Sequence, residues 1–214
     1  IVILILLFFV TQNFNGSSSA DELFQIQAKN IKYQNKKNTI IAEGNAEASN
    51  SLDKKLFADK ITYKKKEGIL SANGNVKLVD NKNTITAENI KYNINTKEVN
   101  ASDNVSLIDS LGNKLSANKL KFNLNTELGE AYNIKSNLKD GSYAEADKVN
   151  FNKKKDIYYL KRTNYTTCKE KYDLKGNLCP SWILSSKEFK HDRKNKKIKN
   201  KNVFLKIKNI PILY

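Results

Sequence analysis

The chain holds a single histidine, His191, among 214 residues. Imidazole is the usual base and metal ligand near neutral pH, and a His-based zinc site needs several such ligands. His191 stands beside Asp192 but has no second histidine to support it. A structural or solvent-exposed role is therefore expected, with no metal bound. No glycine-rich phosphate loop, nucleophile elbow or Ser-His-Asp order occurs. Carboxylates are spread over turn and outward positions, so no pair stands out for acid–base work. The expectation is a protein that binds or bridges, uses no cofactor and is not an enzyme.

Two cysteines remain, in Tyr165-Thr-Thr-Cys168 and Cys179-Pro-Ser-Trp182. Their chemistry depends on compartment. Residues 1–10 (IVILILLFFV) form an apolar run, followed by polar and small residues ending in Ser18-Ser19-Ala20. This reads as the hydrophobic core and cleavage site of a secretory signal over residues 1–20. Spanning a bilayer takes about 20 apolar residues, twice this run. The chain begins at Ile1 and has no methionine, so the basic start of the signal is expected upstream. In an exported chain an even cysteine count suggests a disulfide, which on the chain-entropy model would stabilise by about 3 kcal/mol. The alternative is that one or both cysteines pair elsewhere in a longer chain. Lys169 to Leu178 between them reads as an insertion that interrupts the repeat spacing.

The formal net charge is +16. Such a charge attracts anionic surfaces. Nucleic acid is not expected, because the aromatics recur at strand positions instead of interleaving with the basic runs as a stacking platform requires. Abundant Lys, Asn and Ile also fit compositional drift.

These residues sit on a repeat. Ala28-Lys-Asn-Ile31-Lys-Tyr33 recurs as Ala58-Asp-Lys-Ile61-Thr-Tyr63, Ala87-Glu-Asn-Ile90-Lys-Tyr92, Ala117-Asn-Lys-Leu120-Lys-Phe122 and Ala146-Asp-Lys-Val149-Asn-Phe151, at steps of 30, 29, 30 and 29. A degenerate sixth copy is Ser186-Lys-Glu-Phe189-Lys-His191. Between copies lies a second motif, as in Leu70-Ser-Ala72-Asn-Gly74-Asn-Val76 and Val99-Asn-Ala101-Ser-Asp103-Asn-Val105. A fixed period of this length marks stacked supersecondary units. The second motif alternates with period two, the pattern of a half-buried strand. The first switches parity between Leu56/Ala58 and Ile61/Tyr63, which predicts a bulge or corner near Asp59-Lys60 and its equivalents. Asn-, Lys- and Gly-rich clusters at 35–38, 64–68, 80–83, 95–97 and 152–156, together with Asn113, predict turns. No useful amphipathic helix is present. The reading is all-β: a twisted β-jellyroll, a solenoid-like stack of antiparallel hairpins. Small residues (Ala42, Ala72, Gly74, Ala101) alternate with large ones inside, which fits either ordinary packing or a furrow for an apolar guest.

The Ala-x-x-Ile-x-Tyr and Ala-x-Gly-Asn-Val repeats resemble the OstA-like domain of lipopolysaccharide (LPS) transport proteins, across residues 21–214. The tail, from Tyr165-Thr-Thr-Cys168 through Trp182, His191-Asp192 and Lys206-Ile-Lys-Asn-Ile-Pro211-Ile-Leu-Tyr214, is similar to the close of the periplasmic domain in the outer-membrane LPS-assembly proteins. The resemblance implies a domain on the periplasmic side of the outer membrane. It accepts LPS from an LptA-like bridge protein by edge-strand docking and passes it to a barrel that works with an LptE-like lipoprotein. It implies a furrow lined by Ile61, Tyr63, Leu70, Ala72, Val76, Ile90, Tyr92, Ala101, Val105, Leu107 and Phe122. It implies a docking edge at Phe24, Ile26, Ala28, Ile31 and Tyr33. Family members often carry a cysteine near the mature N-terminus, and none precedes Cys168 here, which favours a Cys168–Cys179 disulfide. The barrel is expected beyond Tyr214. A standalone bridge protein of the LptA type would lack the tail of residues 182–214, and an adhesin would need no small-residue furrow.

Overall fold

A computed structural model describes residues 25–49, 55–79, 84–108, 112–167, 181–208 and 210–213. Fourteen strands follow one another: β1 (Gln25–Gln27), β2 (Asn30–Gln34), β3 (Thr39–Ser49), β4 (Lys55–Lys64), β5 (Ile69–Val79), β6 (Thr84–Asn93), β7 (Glu98–Ile108), β8 (Lys114–Asn123), β9 (Leu128–Asn137), β10 (Tyr143–Asn152), β11 (Ile157–Thr166), β12 (Trp182–Asp192), β13 (Lys197–Ile207) and β14 (Ile210–Leu213). Among the described residues the one helical piece is a 3-10 turn at Asn35–Lys37. From β3 onward each strand pairs antiparallel with the next, giving one open sheet. At the first edge, β1 and β2 together run along β3: Ile26 faces Ala48 and Ile31 faces Ala42.

The predicted turns at 35–38, 64–68, 95–97 and 152–156 form, 80–83 lies outside the described residues, and those four share a device with a further turn at 124–127. Each ends on a residue in the left-handed region: Asn38 (φ 50°), Gly68 (65°), Lys97 (57°), Glu127 (55°) and Asp156 (55°). The carbonyl of each then accepts a backbone N–H from the next turn: Lys65 to Asn38 (3.0 Å), Ile94 to Gly68 (2.8 Å), Leu124 to Lys97 (2.9 Å), Lys153 to Glu127 (2.9 Å) and Arg193 to Asp156 (3.0 Å). The turns thus extend the ladder past the strand ends, so backbone groups that loops leave to water are bonded.

The corners lie level with the predicted positions, but the left-handed backbone is on the neighbouring strand. Gly44 and Asn45 (φ 80° and 51°) sit between the pairs Glu43–Lys60 and Ala46–Ala58, so two residues of β3 oppose Asp59 alone. Gly74-Asn75 in β5 and Asp103-Asn104 in β7 repeat this bulge. Gly, Asn and Asp accept positive φ more readily than other residues, so the bend falls on their strand. From β9 the device shrinks to one left-handed residue with no extra partner: Asn133, Arg162 and Asn202.

Around each corner the inward parity changes. Buried residues on β4 run Leu56, Ala58, Ile61, and on β10 they include Ala146, Val149 and Phe151. A flat single sheet would leave both faces wet. Bent at every strand, the sheet folds over itself and hides one face, so Ile61, Ala72, Ala131, Val149 and Tyr158 reach 0% exposure. These inner residues form one continuous apolar cluster from Ala42 to Leu160. The fold is the twisted β-jellyroll that the repeats predict.

Candidate functional site: an apolar interior and an open edge

All eleven residues named as furrow lining lie in or against that interior cluster. Ile61, Leu70, Ala72, Val76, Ile90, Ala101, Val105, Leu107 and Phe122 are buried, while Tyr63 and Tyr92 pack against the cluster half-buried. Register brings them into rows: Ile61 opposes Ala42 and Ala72, Ile90 opposes Ala72 and Ala101, and Leu120 opposes Ala101 and Ala131. A large side chain on each of β4, β6 and β8 is therefore flanked by alanines on both sides, whereas on β10 Val149 lies between Ala131 and Leu160. Ring stacking closes the row farther along, where Phe122 and Phe151 lie 5.7 Å apart over Gly129.

The edge at β1 and β2 is unlike the rest. Ile31 and Tyr33 occupy the inward positions of their repeat but are each 53% exposed. Ile26 and Ala28 do touch the cluster. Phe24, the fifth residue of the expected edge, lies outside the described residues, as do the expected signal segment, Cys168 and Cys179. The ends of the strands that flank the two cysteines are described. Tyr165 faces Leu184 in the ladder, and Tyr165 and Trp182 meet edge to face at 5.9 Å.

His191 and Asp192 part company on β12. Asp192 accepts Asn195 N–H (3.0 Å), in the turn. His191 pairs with Tyr158 and Ile198, packs between Tyr158 and Phe189, and leaves Nδ1 buried without a hydrogen-bond partner. Burial lowers its pKa, since a desolvated imidazolium is disfavoured. Neighbouring Tyr158 is held the other way: burial first, then its hydrogen bond to Asp156, raise the phenol's pKa. No group of three or more His, Cys, Asp or Glu that could hold a metal occurs among the described residues.

Sequence reasoning does not foresee an open cavity of about 550 Å³ across β9 to β13, lined by both polar and apolar side chains. Its walls include the corner residues Asn133, Asp147, Arg162 and Asn202. One flank is tied by Asn164 Nδ2 donating to Glu145 (2.7 Å) and Ser185 Oγ donating to Asn164 (2.6 Å), and Arg162 pairs with Asp147. A partial signal for it lies in Thr163, where earlier repeats carry Val76, Val105 and Ile134, and in Ser186, where they carry alanine.

An open antiparallel stack with a small-residue apolar interior, exposing Ile31 and Tyr33 at one edge and Ile210 and Ile212 at the other, defines a solenoid-like β-jellyroll. In sequence the chain is homologous to LPS-assembly protein LptD. Similarity runs over 145 residues, 68% of the chain, at 32% identity to LptD of Nitrosospira multiformis, 26% to that of Nitrosomonas eutropha and 25% to that of Nitrosomonas europaea. The chain spans only 15–19% of the length of these relatives. No protein-family model matches it. Among solved structures, LptH of Pseudomonas aeruginosa, described as the LptA-homologous periplasmic component of the lipopolysaccharide transport device, aligns at TM-score 0.45 and 16% identity, covering 52% of this chain and 82% of that one. No helix among the described residues is long and apolar enough to cross a membrane, which says nothing of a β-barrel.

Proposed function

We propose that the chain is the periplasmic jellyroll of an LPS-assembly protein, accepting LPS from an LptA-like bridge protein and passing it toward an outer-membrane barrel. The observation that carries this reading is the continuous inner row of alanines beside Ile and Tyr, on a chain related to LptD. Side chains that small leave the two halves of the jellyroll little to interlock with, so parting them by an acyl chain's width exchanges one apolar contact for another. The chain acts by binding alone, with no catalytic step. Ile31 and Tyr33 on β2 are apolar and exposed, and among the described residues β2 has no strand on its far side, as edge-strand addition by a bridge protein requires. A disulfide between Cys168 and Cys179 closes the segment joining β11 to β12, and residues 1–20 direct export. The barrel and an LptE-like lipoprotein complete the assembly.

The test is site-specific photo-crosslinking in cells. A photoreactive side chain at Tyr63 or Tyr92 gives an LPS adduct, and one at outward Lys64 gives none. A folded protein with no adduct at either inward site rules the conduit out. The disulfide is checked separately by mass spectrometry of alkylated protein: free thiols at Cys168 and Cys179 refute it.

A further inference from the structure

Charge is not evenly spread. Residues 181–214 carry ten of the 38 Lys and Arg and two of the 22 acids, a net +8 within the chain's +16. The structure concentrates that charge further. By register, His191, Phe189, Ser186 and their partners Ile198, Asn200 and Val203 take the inner face of the β12–β13 hairpin. The outer face therefore receives every lysine of the two strands: Lys187 and Lys190 on β12, and Lys197, Lys199, Lys201 and Lys206 on β13. Lys194 and Lys196 add to it at the connecting turn.

In the earlier repeats several outward lysines meet a carboxylate on the preceding strand, Lys60–Glu43 (2.8 Å), Lys55–Glu47 (3.3 Å), Lys121–Glu98 (3.3 Å) and Lys148–Glu130 (2.8 Å), while others, such as Lys77, Lys91 and Lys135, form no ion pair among the described residues. On the hairpin only Lys201 meets a carboxylate in this way, Glu188 at 3.0 Å. Lys187, Lys197, Lys199 and Lys206 form no ion pair among the described residues, although Lys197 stands opposite Asp192 in the ladder and Lys187 lies in the field of Glu188; Lys190 lies over the Tyr159 ring at 5.0 Å. Lys190 and Lys199 are direct cross-strand partners. Like charges placed opposite one another oppose pairing unless an anion lies over them.

We infer that the outer face of the β12–β13 hairpin docks on the phosphates of an anionic lipid bilayer. The match is one of charge to a surface: a broad sheet face that carries six lysines against two carboxylates, Glu188 and Asp192, suits a two-dimensional field of phosphates. A single-stranded nucleic acid would need bases to stack on aromatic rings between the lysines, and that face offers only Phe204 and the lysine-covered Tyr159. Docking here would hold the last strands against the membrane while the first edge stays free.

The test uses the full chain with LPS-free vesicles, so it stands or falls independently of the conduit. Sedimentation is measured with phosphatidylcholine vesicles with and without about 30% phosphatidylglycerol, at about 50 and 300 mM salt. Binding is expected only to the anionic vesicles and is expected to weaken with salt. Lys187→Gln, Lys190→Gln, Lys197→Gln and Lys199→Gln together lower affinity at least about 100-fold. The same charge removed elsewhere, by Lys32→Gln, Lys36→Gln, Lys37→Gln and Lys66→Gln, lowers it far less. No binding at low salt overturns the inference, and so does an equal loss in both variants, which would mean net charge alone. Tighter binding to a DNA oligonucleotide than to anionic vesicles overturns it in favour of nucleic acid. Circular dichroism of both variants confirms that they are folded.

Discussion

At Gly129 the inner face has no room for a side chain. A Cβ there would come within 2.2 Å of Phe151 Cζ, the ring that stacks on Phe122. Gly129→Ala must therefore push the Phe122–Phe151 pair apart. Overpacking of this kind costs about 1–3 kcal/mol, read as a lower midpoint in urea at unchanged slope. His191 gives the chain a single titration near neutrality. Burial lowers its pKa from the ordinary 6.5, so the fold favours neutral imidazole. Stability is then full above pH 6.5 and falls as pH drops through that value, because the unfolded chain takes up the proton first. The lowered carboxylates act later: Glu130, held down by Lys148, and Glu98, held down by Asn100 and Lys121, lose their contribution only below their ordinary 4.5. The melting temperature is expected to fall between about pH 7.5 and 5.5, and His191→Phe to flatten that fall.

Among the elements, the strands are the most legible. Ala-x-x-Ile-x-Tyr carries both the alternation and its interruption, so residues such as Ala58 and Ile61 declare their common face by residue order alone. The corner is half legible. Parity shows that a bend must fall near Asp59, but the bend is made by whichever strand tolerates positive φ, and Gly74-Asn75 reads in sequence simply as part of a clean alternation. That account predicts an asymmetry. Gly74 has φ 74°, and a Cβ would lie 2.4 Å from Asp59 Oδ2. Gly74→Val should destabilise by about 2 kcal/mol or more. Asn133→Gly, at a single-residue corner, should cost little, because glycine takes the left-handed region freely. Comparative thermal melts decide: equal losses would mean that backbone strain does not set the corner. The turn ladder is not legible, because it consists of backbone bonds between turns 26 to 37 residues apart.

The whole molecule has two unlike ends, and the sequence conveys them unequally. Ile31 and Tyr33 repeat the pattern of buried Ile61 and half-buried Tyr63, so their exposure comes from their place at the end of the stack, which no local motif records. Ile31→Lys should leave stability within about 0.5 kcal/mol, as exposed substitutions do, while abolishing capture of an LptA-like bridge protein in a pull-down. Retained capture would move the docking edge elsewhere. The lysine face at the other end is visible in sequence only as net charge, because pairing register, not composition, puts six lysines on one side. Between these ends lies the central claim, that the inner face yields to an acyl chain. Methyl NMR of the unmodified chain titrated with lipid A tests it most directly. The account predicts saturable shifts at inward Ile61, Ala72 and Ala101 and none at outward Ile41 and Ile69, with the deacylated saccharide inert. Inner methyls that stay fixed at saturating lipid A, in a protein that remains folded, would contradict it.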